Sequence, residues 1–384
     1  MMELRKVCLR SAAVITAGVA VPLGIFRLSG SAERLRRFAE SSGRLTVADR
    51  SSGTEKAAGA EVSAEKEKAY PQSVGASSLE LSLTLAPSED EPEFSSSEIP
   101  SPLPAEDMWD ELPYPSPLDD RDGVIERFNF GYYTDDGYFD LPSGGQVRNC
   151  TTLTEEYLLE QAAEGLPFDT DISGGEPLVL IYHTHTTESF ELTERDWYDR
   201  DFTGKTTDPD KNIISVGNCI CKELDAAGIP YIHDTLVHDY PSYDSAYGSS
   251  REAVQEILEE YPSIKVCLDI HRDGIERADG TRVAPVAEIN GRSAAQIMII
   301  SCADDGSGNI PRYMENFRFA CALQSQVESD WAGLTRPVLF DTRYYNQDLS
   351  TGSLLIEMGS HGNSLSEAQY SGELLGKSLA VLLS

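Results

Sequence analysis

The sequence predicts an α/β protein with a mainly parallel, twisted sheet that carries helices on both faces, preceded by a membrane anchor helix and a disordered tether. In the second half, short continuous apolar runs alternate with segments of helical periodicity. A long stretch before them is rich in Ser, Glu, Pro and Ala, and the first thirty residues combine basic residues with an uncharged run. These observations divide the chain into an anchor, a tether, a lead-in region and a main domain, at residues 1–30, 31–121, 122–170 and 171–384.

The N-terminal segment has the pattern of an export signal. Arg5, Lys6 and Arg10 precede an uncharged run over residues 11–26, and Arg27 follows it. No small-residue cleavage site follows the apolar core, so we interpret the segment as an uncleaved signal anchor, with a cleaved signal peptide as the alternative. Basic residues ahead of the run predict a cytoplasmic N-terminus and a main domain outside the cytoplasm.

The tether follows from composition and charge. Residues 31–121 contain few large apolar side chains, so they bury too little surface to offset their conformational entropy. The whole chain has 31 Lys and Arg against 64 Asp and Glu, a formal net charge of -33. This balance excludes a nucleic-acid partner, because phosphates would be repelled.

The main domain is predicted from alternating elements. Beyond residue 121 aromatic content returns, and helical spacing over 153–163 predicts a lead-in of strands plus one helix. Alternating strands and helices imply a sheet covered on both faces, with ligands outside the carboxyl ends of the strands. Gly228 is a helix stop, and Ser364 with Glu367 forms a predicted capping box. We predict strands at 177–182, 230–233, 264–270, 295–301 and 354–358, and helices at 212–227, 251–261, 312–330 and 364–383.

Chemistry-bearing side chains follow these strands. The first strand runs into an H-x-x-E at His185 and Glu188, the third ends at His271, and the last holds Glu357. Two imidazoles and one carboxylate with an open fourth position are typical of catalytic zinc. Water at such a metal loses its proton near neutral pH, and Glu357 is the carboxylate placed to accept it.

Several alternatives remain open from the residues alone. His183 lies two residues before His185, so it is an alternate ligand or a residue that orients ligands from outside the metal shell. Arg272 and Asp273 either polarise a substrate or form a structural ion pair. His233 and His238 are expected on a surface loop, with substrate contact as the alternative.

Cysteine usage argues against a thiolate zinc site. Seven cysteines are present and no C-x-x-C occurs. We therefore predict buried free thiols rather than metal ligands or a disulfide framework.

Five segments in order resemble the stage II sporulation protein P family. They read IYHTHTTESF, HDYPSY, DIHRD, YNQDL and LIEMG, at residues 181–190, 238–243, 269–273, 345–349 and 355–359, and the resemblance spans residues 147–384. It implies a zinc N-acetylmuramoyl-L-alanine amidase with accompanying cross-link endopeptidase activity, on a zinc-amidase fold. Such a protein acts on peptidoglycan between the two membranes during engulfment of the forespore, with sporulation proteins D and M as partners.

The resemblance also implies roles for individual residues. His185, Glu188 and His271 would bind Zn²⁺, and Glu357 would be the catalytic carboxylate. Candidate substrate contacts are Arg272, Tyr243, Arg251, Asn346 and Gln347.

Two other functions share parts of this pattern. A zinc carboxypeptidase-like peptidase uses a similar ligand set but needs an arginine for the substrate carboxylate, and Arg272 alone does not form a clear pocket. A tethered wall-binding module without catalysis is the third alternative. Zinc content, measured together with release of stem peptide from purified sacculi, separates the three.

Overall fold

The architecture is a large mixed sheet with helices on both faces and a smaller sheet beside it. A computed structural model describes residues 9–10, 111–116 and 118–384. The strands are β1 Leu9–Arg10, β2 Gly123–Phe128, β3 Tyr138–Asp140, β4 Gln146–Asn149, β5 Val179–Tyr182, β6 Trp197–Tyr198, β7 Tyr231–His233, β8 Val266–Asp273, β9 Arg282–Ile289, β10 Arg292–Ala295, β11 Ile297–Cys302, β12 Val338–Asp341 and β13 Gly352–Ser360.

The helices begin and end at residues whose chemistry explains those positions. Asn212 caps helix α2, Ile213–Ala227, by accepting from the N–H of Ile214, and Gly228 ends that helix in the left-handed region with φ 75°. Ser364 and Glu367 form the predicted capping box at the start of helix α5, Leu365–Leu382. The helices are α1 Glu155–Ala163, α2 Ile213–Ala227, α3 Ala246–Glu260, α4 Tyr313–Asp330 and α5 Leu365–Leu382.

The large sheet is α/β as predicted and mainly parallel, with one internal reversal. Its order is β1-β7-β5-β8-β13-β11-β12-β4-β3. Strands β7, β5, β8 and β13 are parallel, as are β11, β12 and β4. The two groups join through the antiparallel pair β11 and β13. The sheet therefore has its predicted class, and the antiparallel join in its middle was not predicted.

The lead-in region contributes strands to both sheets. Strand β4 pairs with β12 at one side of the large sheet, and β2 pairs with β9 in the small sheet, whose order is β10-β9-β2-β6. The small sheet was not predicted from the sequence. It packs beside the end of β13, where the Ser360 hydroxyl donates to the Val283 carbonyl of β9 at 2.6 Å.

Alternation along the central strands sorts the core into two faces. Leu180, Tyr182 and Cys267 pack towards α3, while their neighbours in sequence point to the opposite face, which α2, α4 and α5 cover. Both faces of the parallel strands are thus buried, as continuous apolar runs require. Four cysteines are buried in this interior and form no disulfide, as predicted: Cys221, Cys267, Cys302 and Cys321.

The predicted anchor and most of the predicted tether lie outside the described residues. Leu9–Arg10 is described only as the short strand that pairs antiparallel with β7. Within the described part of the chain, no helix has both the length and the apolar character to cross a membrane. The predicted end of the tether at residue 121 needs correction. Residues 111–116 pack on the main domain, because the backbone of Leu112 and the hydroxyl of Tyr114 form hydrogen bonds to it.

Candidate metal centre

Three predicted ligands meet at the carboxyl end of the sheet. One ligand atom from each of His185, Glu188 and His271 lies within 4.8 Å of the others, and all three residues are buried. His185 Nδ1 is 3.5 Å from Glu188 Oε1, and His271 Nδ1 is 3.6 Å from Glu188 Oε2. Bonds of about 2.0–2.1 Å to a tetrahedral zinc would place ligand atoms about 3.3 Å apart. The donor set and its spacing therefore fit this metal.

Local folding explains why these side chains converge. Strands β5 and β8 are neighbours, and a tight turn directly after β5 brings His185 and Glu188 to the same point. The turn is held by Asp239, whose carboxylate accepts from the N–H of Thr187 at 3.0 Å and from its hydroxyl at 2.6 Å. The turn that connects His185 to Glu188 is thus fixed by a residue outside it.

Asp269 orients His271 from the strand that carries both. Residues two apart on a strand share a face, and Asp269 Oδ1 lies 2.9 Å from His271 Nε2. Thr184 holds that carboxylate with its N–H at 2.8 Å and its hydroxyl at 2.6 Å. This contact turns Nδ1 of His271 towards Glu188, the arrangement that commonly orients metal-binding histidines.

Electrostatics make the cluster a strong site for a cation. Burial favours the neutral acid, yet the hydrogen bond with His185 and the positive charges around it lower the pKa of Glu188 to about 2. Burial likewise opposes protonation of His271, but Asp269 and Glu188 raise its pKa to about 10. A proton therefore occupies the place where the carboxylates favour positive charge, and a metal ion would compete for that place.

Glu357 stands beside the cluster with an unused oxygen. It is the register partner of His271 across the parallel pair of β13 and β8. Its Oε2 is buried and has no hydrogen-bond partner among the described residues. Burial, together with the negative charges of Asp273 and Glu188, raises the pKa of Glu357 well above its ordinary value.

His183 is turned away from the cluster. Its Nδ1 lies 3.0 Å from the Ile270 carbonyl and its Nε2 lies 2.9 Å from His233 Nε2. Alternation fails here because the turn starts directly after His183, so His183 and His185 point to opposite sides. Burial lowers the pKa of His183 to about 4, which keeps it neutral. Gly217 of α2 leaves the room for this pair, since an added Cβ would lie 2.7 Å from His183 Nε2.

The prediction of surface positions for His233 and His238 was wrong. His233 lies in β7 and is buried, and His238 is buried beside Asp234. His238 Nε2 is 3.0 Å from Asp234 Oδ2 and its Nδ1 is 3.0 Å from the Ser249 hydroxyl. Polar residues in a short segment suggested a surface loop, but each has a buried polar partner.

Two arginines that were predicted to contact substrate, Arg272 and Arg251, instead bind other groups of the protein. Arg272 donates from its guanidinium to the carbonyls of Ser189, Gly204 and Asp273, and from its backbone N–H to Glu188 Oε2 at 2.9 Å. Arg272 therefore braces a ligand and does not pair with the Asp273 carboxylate.

The second arginine forms a bidentate ion pair away from the ligands. Arg251 donates to the two oxygens of Asp348 at 2.8 and 2.6 Å, and also to the Tyr344 hydroxyl at 2.8 Å. Its charge is thus neutralised locally.

Asn346 and Gln347 are buried, and both side chains form hydrogen bonds within the protein. Asn346 has φ 53° and donates to the Tyr247 carbonyl at 3.0 Å. Gln347 accepts from the N–H of Cys302 at 2.8 Å and donates to the Ile300 carbonyl at 3.1 Å, so it ties its loop to β11. Neither side chain faces the ligand cluster.

Tyr243 is the predicted contact that reaches the cluster. Its ring stacks on His185 with centroids 4.5 Å apart, and its hydroxyl lies 3.5 Å from His185 Nδ1. Tyr243 is 45% exposed, so its ring lies between solvent and His185. Lys205 Nζ lies 3.8 Å from the ring centroid.

Asp269, Thr184 and Lys205 lie at the site but were not predicted to belong to it. Asp269 had an available signal, since a carboxylate two residues before a predicted ligand on a strand shares its face. Thr184 and Lys205 had none, because their positions depend on a turn and a loop rather than on a periodic element.

Comparisons with solved structures and curated proteins are informative to different degrees. N-acetylmuramoyl-L-alanine amidase AmiC2 of Nostoc punctiforme is 12% identical with a TM-score of 0.34, over 54% of this chain and 94% of that one. The CwlD amidase from Clostridioides difficile, in complex with the GerS lipoprotein, is 11% identical with a TM-score of 0.33, over 54% and 94%.

Sequence comparison gives the family. Stage II sporulation protein P of Bacillus subtilis (strain 168) is 30% identical over 208 residues, which cover 51% of this chain and 49% of that relative. The match thus spans about half the length of the curated relative. A family model described as Stage II sporulation protein P matches residues 140–380, which include the whole ligand cluster and Glu357. The chain belongs to the stage II sporulation protein P family.

Proposed function

We propose that the chain is a zinc-dependent peptidoglycan hydrolase that cleaves the amide between N-acetylmuramic acid and L-Ala of the stem peptide, and peptide cross-links as an accompanying activity. The observation that carries the proposal is the convergence of His185, Glu188 and His271 beside the unpartnered oxygen of Glu357. Membership of the family and the amidase relatives named above support a wall substrate.

The residues divide the chemistry between them. His185, Glu188 and His271 would hold Zn²⁺. When bound, this ion supplies Lewis acidity, which makes a water molecule more acidic and an amide carbonyl more electrophilic. Glu357 accepts the proton of the attacking water and returns it to the leaving nitrogen. A buried carboxylate with a raised pKa is a stronger base than a solvated one, which suits it to this transfer.

The surrounding residues position these groups. Asp269 and the backbone of Arg272 hold His271 and Glu188 in place. Tyr243 covers His185 and holds its hydroxyl 3.5 Å from His185 Nδ1, where it could donate to a substrate carbonyl at the cluster. The site therefore has ligands, a base and a hydrogen-bond donor on one side of the sheet.

The test is digestion of purified sacculi by the zinc-loaded chain, with products analysed by mass spectrometry. We expect release of stem peptides with a free L-Ala amine and intact glycan strands. Loss of a C-terminal residue only would favour the carboxypeptidase-like alternative. Binding of sacculi without any new product would favour a non-catalytic wall-binding module.

We also propose a membrane-anchored location with the hydrolase domain outside the cytoplasm, in the space between the engulfing membranes, with sporulation proteins D and M as partners. The basic residues before the uncharged run at the N-terminus support the orientation. A cysteine introduced after residue 40 should react with an impermeant reagent in intact cells. Reaction only after lysis would contradict this location.

A further inference from the structure

Lys205 is a cation at the active site without an anionic partner. It is partly exposed, and its Nζ lies 3.8 Å from the centre of the Tyr243 ring. No carboxylate lies within ion-pair distance of Nζ in the part of the chain that the structure describes. Its charge is therefore available to a ligand.

Backbone pairing directs this side chain towards the ligands. Lys205 forms an isolated antiparallel bridge with Glu188. The bridge is fixed on both sides, because the Thr206 N–H donates to the Thr187 carbonyl at 2.8 Å and the Ser189 N–H donates to the Gly204 carbonyl at 2.9 Å. Directly opposed residues of an antiparallel pair project their side chains from the same face. Lys205 therefore shares the face of the metal-binding carboxylate.

The other positive charges around the site are committed. Arg272 donates to three backbone carbonyls, and Arg251 forms its bidentate pair with Asp348. Arg336 donates to Asp273 at 2.8 Å, and its side chain is only 7% exposed. Among the residues that the structure describes at this end of the sheet, Lys205 remains as the accessible cation without a carboxylate partner.

An anionic group of the substrate would be favoured by such a charge. Three carboxylates lie at the site (Glu188, Asp269, Glu357), and away from a bound metal ion they disfavour a negatively charged ligand group that has no cation beside it. In a muramoyl peptide the only carboxyl group of the sugar is already the scissile amide. Every free carboxylate of the ligand therefore belongs to the stem peptide.

We propose that Lys205 binds a free carboxylate of the second stem-peptide residue, one residue beyond the L-Ala of the scissile amide, and so makes this chain selective for the acid over its carboxamide. The inference rests on the proposed function and names the part of the substrate that the site recognises. A single charge-assisted contact at a partly exposed position corresponds to about a tenfold difference in affinity.

The experiment measures binding separately from turnover. The full chain carrying Glu357→Gln is loaded with zinc and titrated by calorimetry with N-acetylmuramoyl-L-alanyl-D-glutamate derivatives whose second residue has either a carboxylate or a carboxamide. We expect the acid to bind about tenfold more tightly. Adding Lys205→Met should abolish the difference by weakening only the acid, and Lys205→Arg should restore it.

A matched control separates this contact from general charge. Lys211 lies in the same segment and pairs with Asp208 at 2.7 Å, so Lys211→Met should preserve the preference. Zinc content should be equal in all variants, because Lys205 is not a ligand. Equal binding of acid and amide before Lys205 is changed, or an unaltered preference in Lys205→Met, would overturn the proposal. Selective binding by the Glu357→Gln chain, combined with no cleavage of either derivative by the chain that keeps Glu357, would refute the amidase reaction and support the Lys205 contact.

Discussion

His271 shows how a single side chain is used twice. Its Nε2 faces Asp269 and its Nδ1 faces Glu188, so one nitrogen is held while the other is presented. Glu357 lies beside it on the next strand with an oxygen that no described residue satisfies. A buried polar atom without a partner costs free energy in a structural role. The two residues should therefore fail differently when replaced.

Replacement of His271 by Ala removes a metal bond, so bound zinc and hydrolysis should both fall. Glu357→Gln keeps the shape but cannot accept a proton, so zinc should stay while the rate drops about 100- to 10,000-fold. Metal analysis and sacculus digestion are run on both variants. Asp269→Asn serves as an intermediate control, with metal affinity weakened about 10- to 100-fold. A zinc-free or fully active Glu357→Gln protein would contradict the assignment.

Residue types and spacing were sufficient to predict that His185, Glu188 and His271 converge, because strand ends meet at one edge of a parallel sheet. They could not separate His183 from His185, since the turn after β5 reverses the side on which each projects. Nor could they show that Arg251 pairs with the Asp348 carboxylate or that Arg272 donates to backbone carbonyls distant in sequence. Whether a polar side chain is free depends on the tertiary structure, which local sequence does not contain.

At the scale of elements, residues 111–116, here called the strap, pack against the loop at residues 202–207 beside the proposed metal ligands. The N–H of Thr207 donates to the Leu112 carbonyl at 2.8 Å, and the N–H of Leu112 donates to the Thr207 hydroxyl at 2.9 Å. The Tyr114 hydroxyl donates to the Phe190 carbonyl at 3.1 Å, and its ring packs on Phe202. The strap thus holds the loop that carries Lys205.

Removal of residues 1–110 should leave zinc binding and hydrolysis unchanged, whereas removal of 1–121 should raise the KM, because the loop beside Glu188 loses its support. Within the full chain, Tyr114→Ala should reproduce part of that increase, and Tyr114→Phe should show only the loss of one hydrogen bond, about 1 kcal/mol of stability. Tyr157→Ala on exposed α1 is the control. Identical kinetics for both truncations would show that the strap is dispensable.

At the scale of the whole molecule, metal and proton compete for one place. In the metal-free protein the pKa of His271 is raised to about 10, above about 6.5 in the unfolded chain. The proton's contribution to stability is therefore present below pH 6.5 and lost as pH rises through 10. A metal ion must displace that proton, so its affinity should rise about tenfold per pH unit in this window.

Thermal unfolding with buffered free zinc checks this linkage. The difference in Tm between zinc-loaded and zinc-free protein should grow from pH 6.5 to 8.5, by about 1.4 kcal/mol of added stabilisation per pH unit. His271→Ala should lose this pH dependence. A Tm difference that is constant over the range would mean that binding releases no proton.

The fold was predictable where apolar runs were long and ended by clear signals. The predicted strands before and after α2, and the capping box of α5, are present at nearly the expected residues. Strands β9, β10 and β12 were missed because their apolar residues are interrupted or few. Helix α3 begins at Ala246, earlier than predicted, because burial of Ala246 and Ser250 extends it through a Tyr-Gly-Ser segment whose residues have weak helical preference.

The three strands that carry the ligands and the base are neighbours in the sheet but distant in the chain. Glu188 and Arg272 next to His271 are 84 residues apart, and Glu357 lies about as far along again. A nascent chain can therefore bring the three proposed ligands together once β8 has paired with β5, but it lacks the proposed base until β13 has been made and paired. Each of these steps requires loop closure over a long stretch of chain. A chain that stops before β13 would retain the proposed metal site without the carboxylate that is proposed to act beside it.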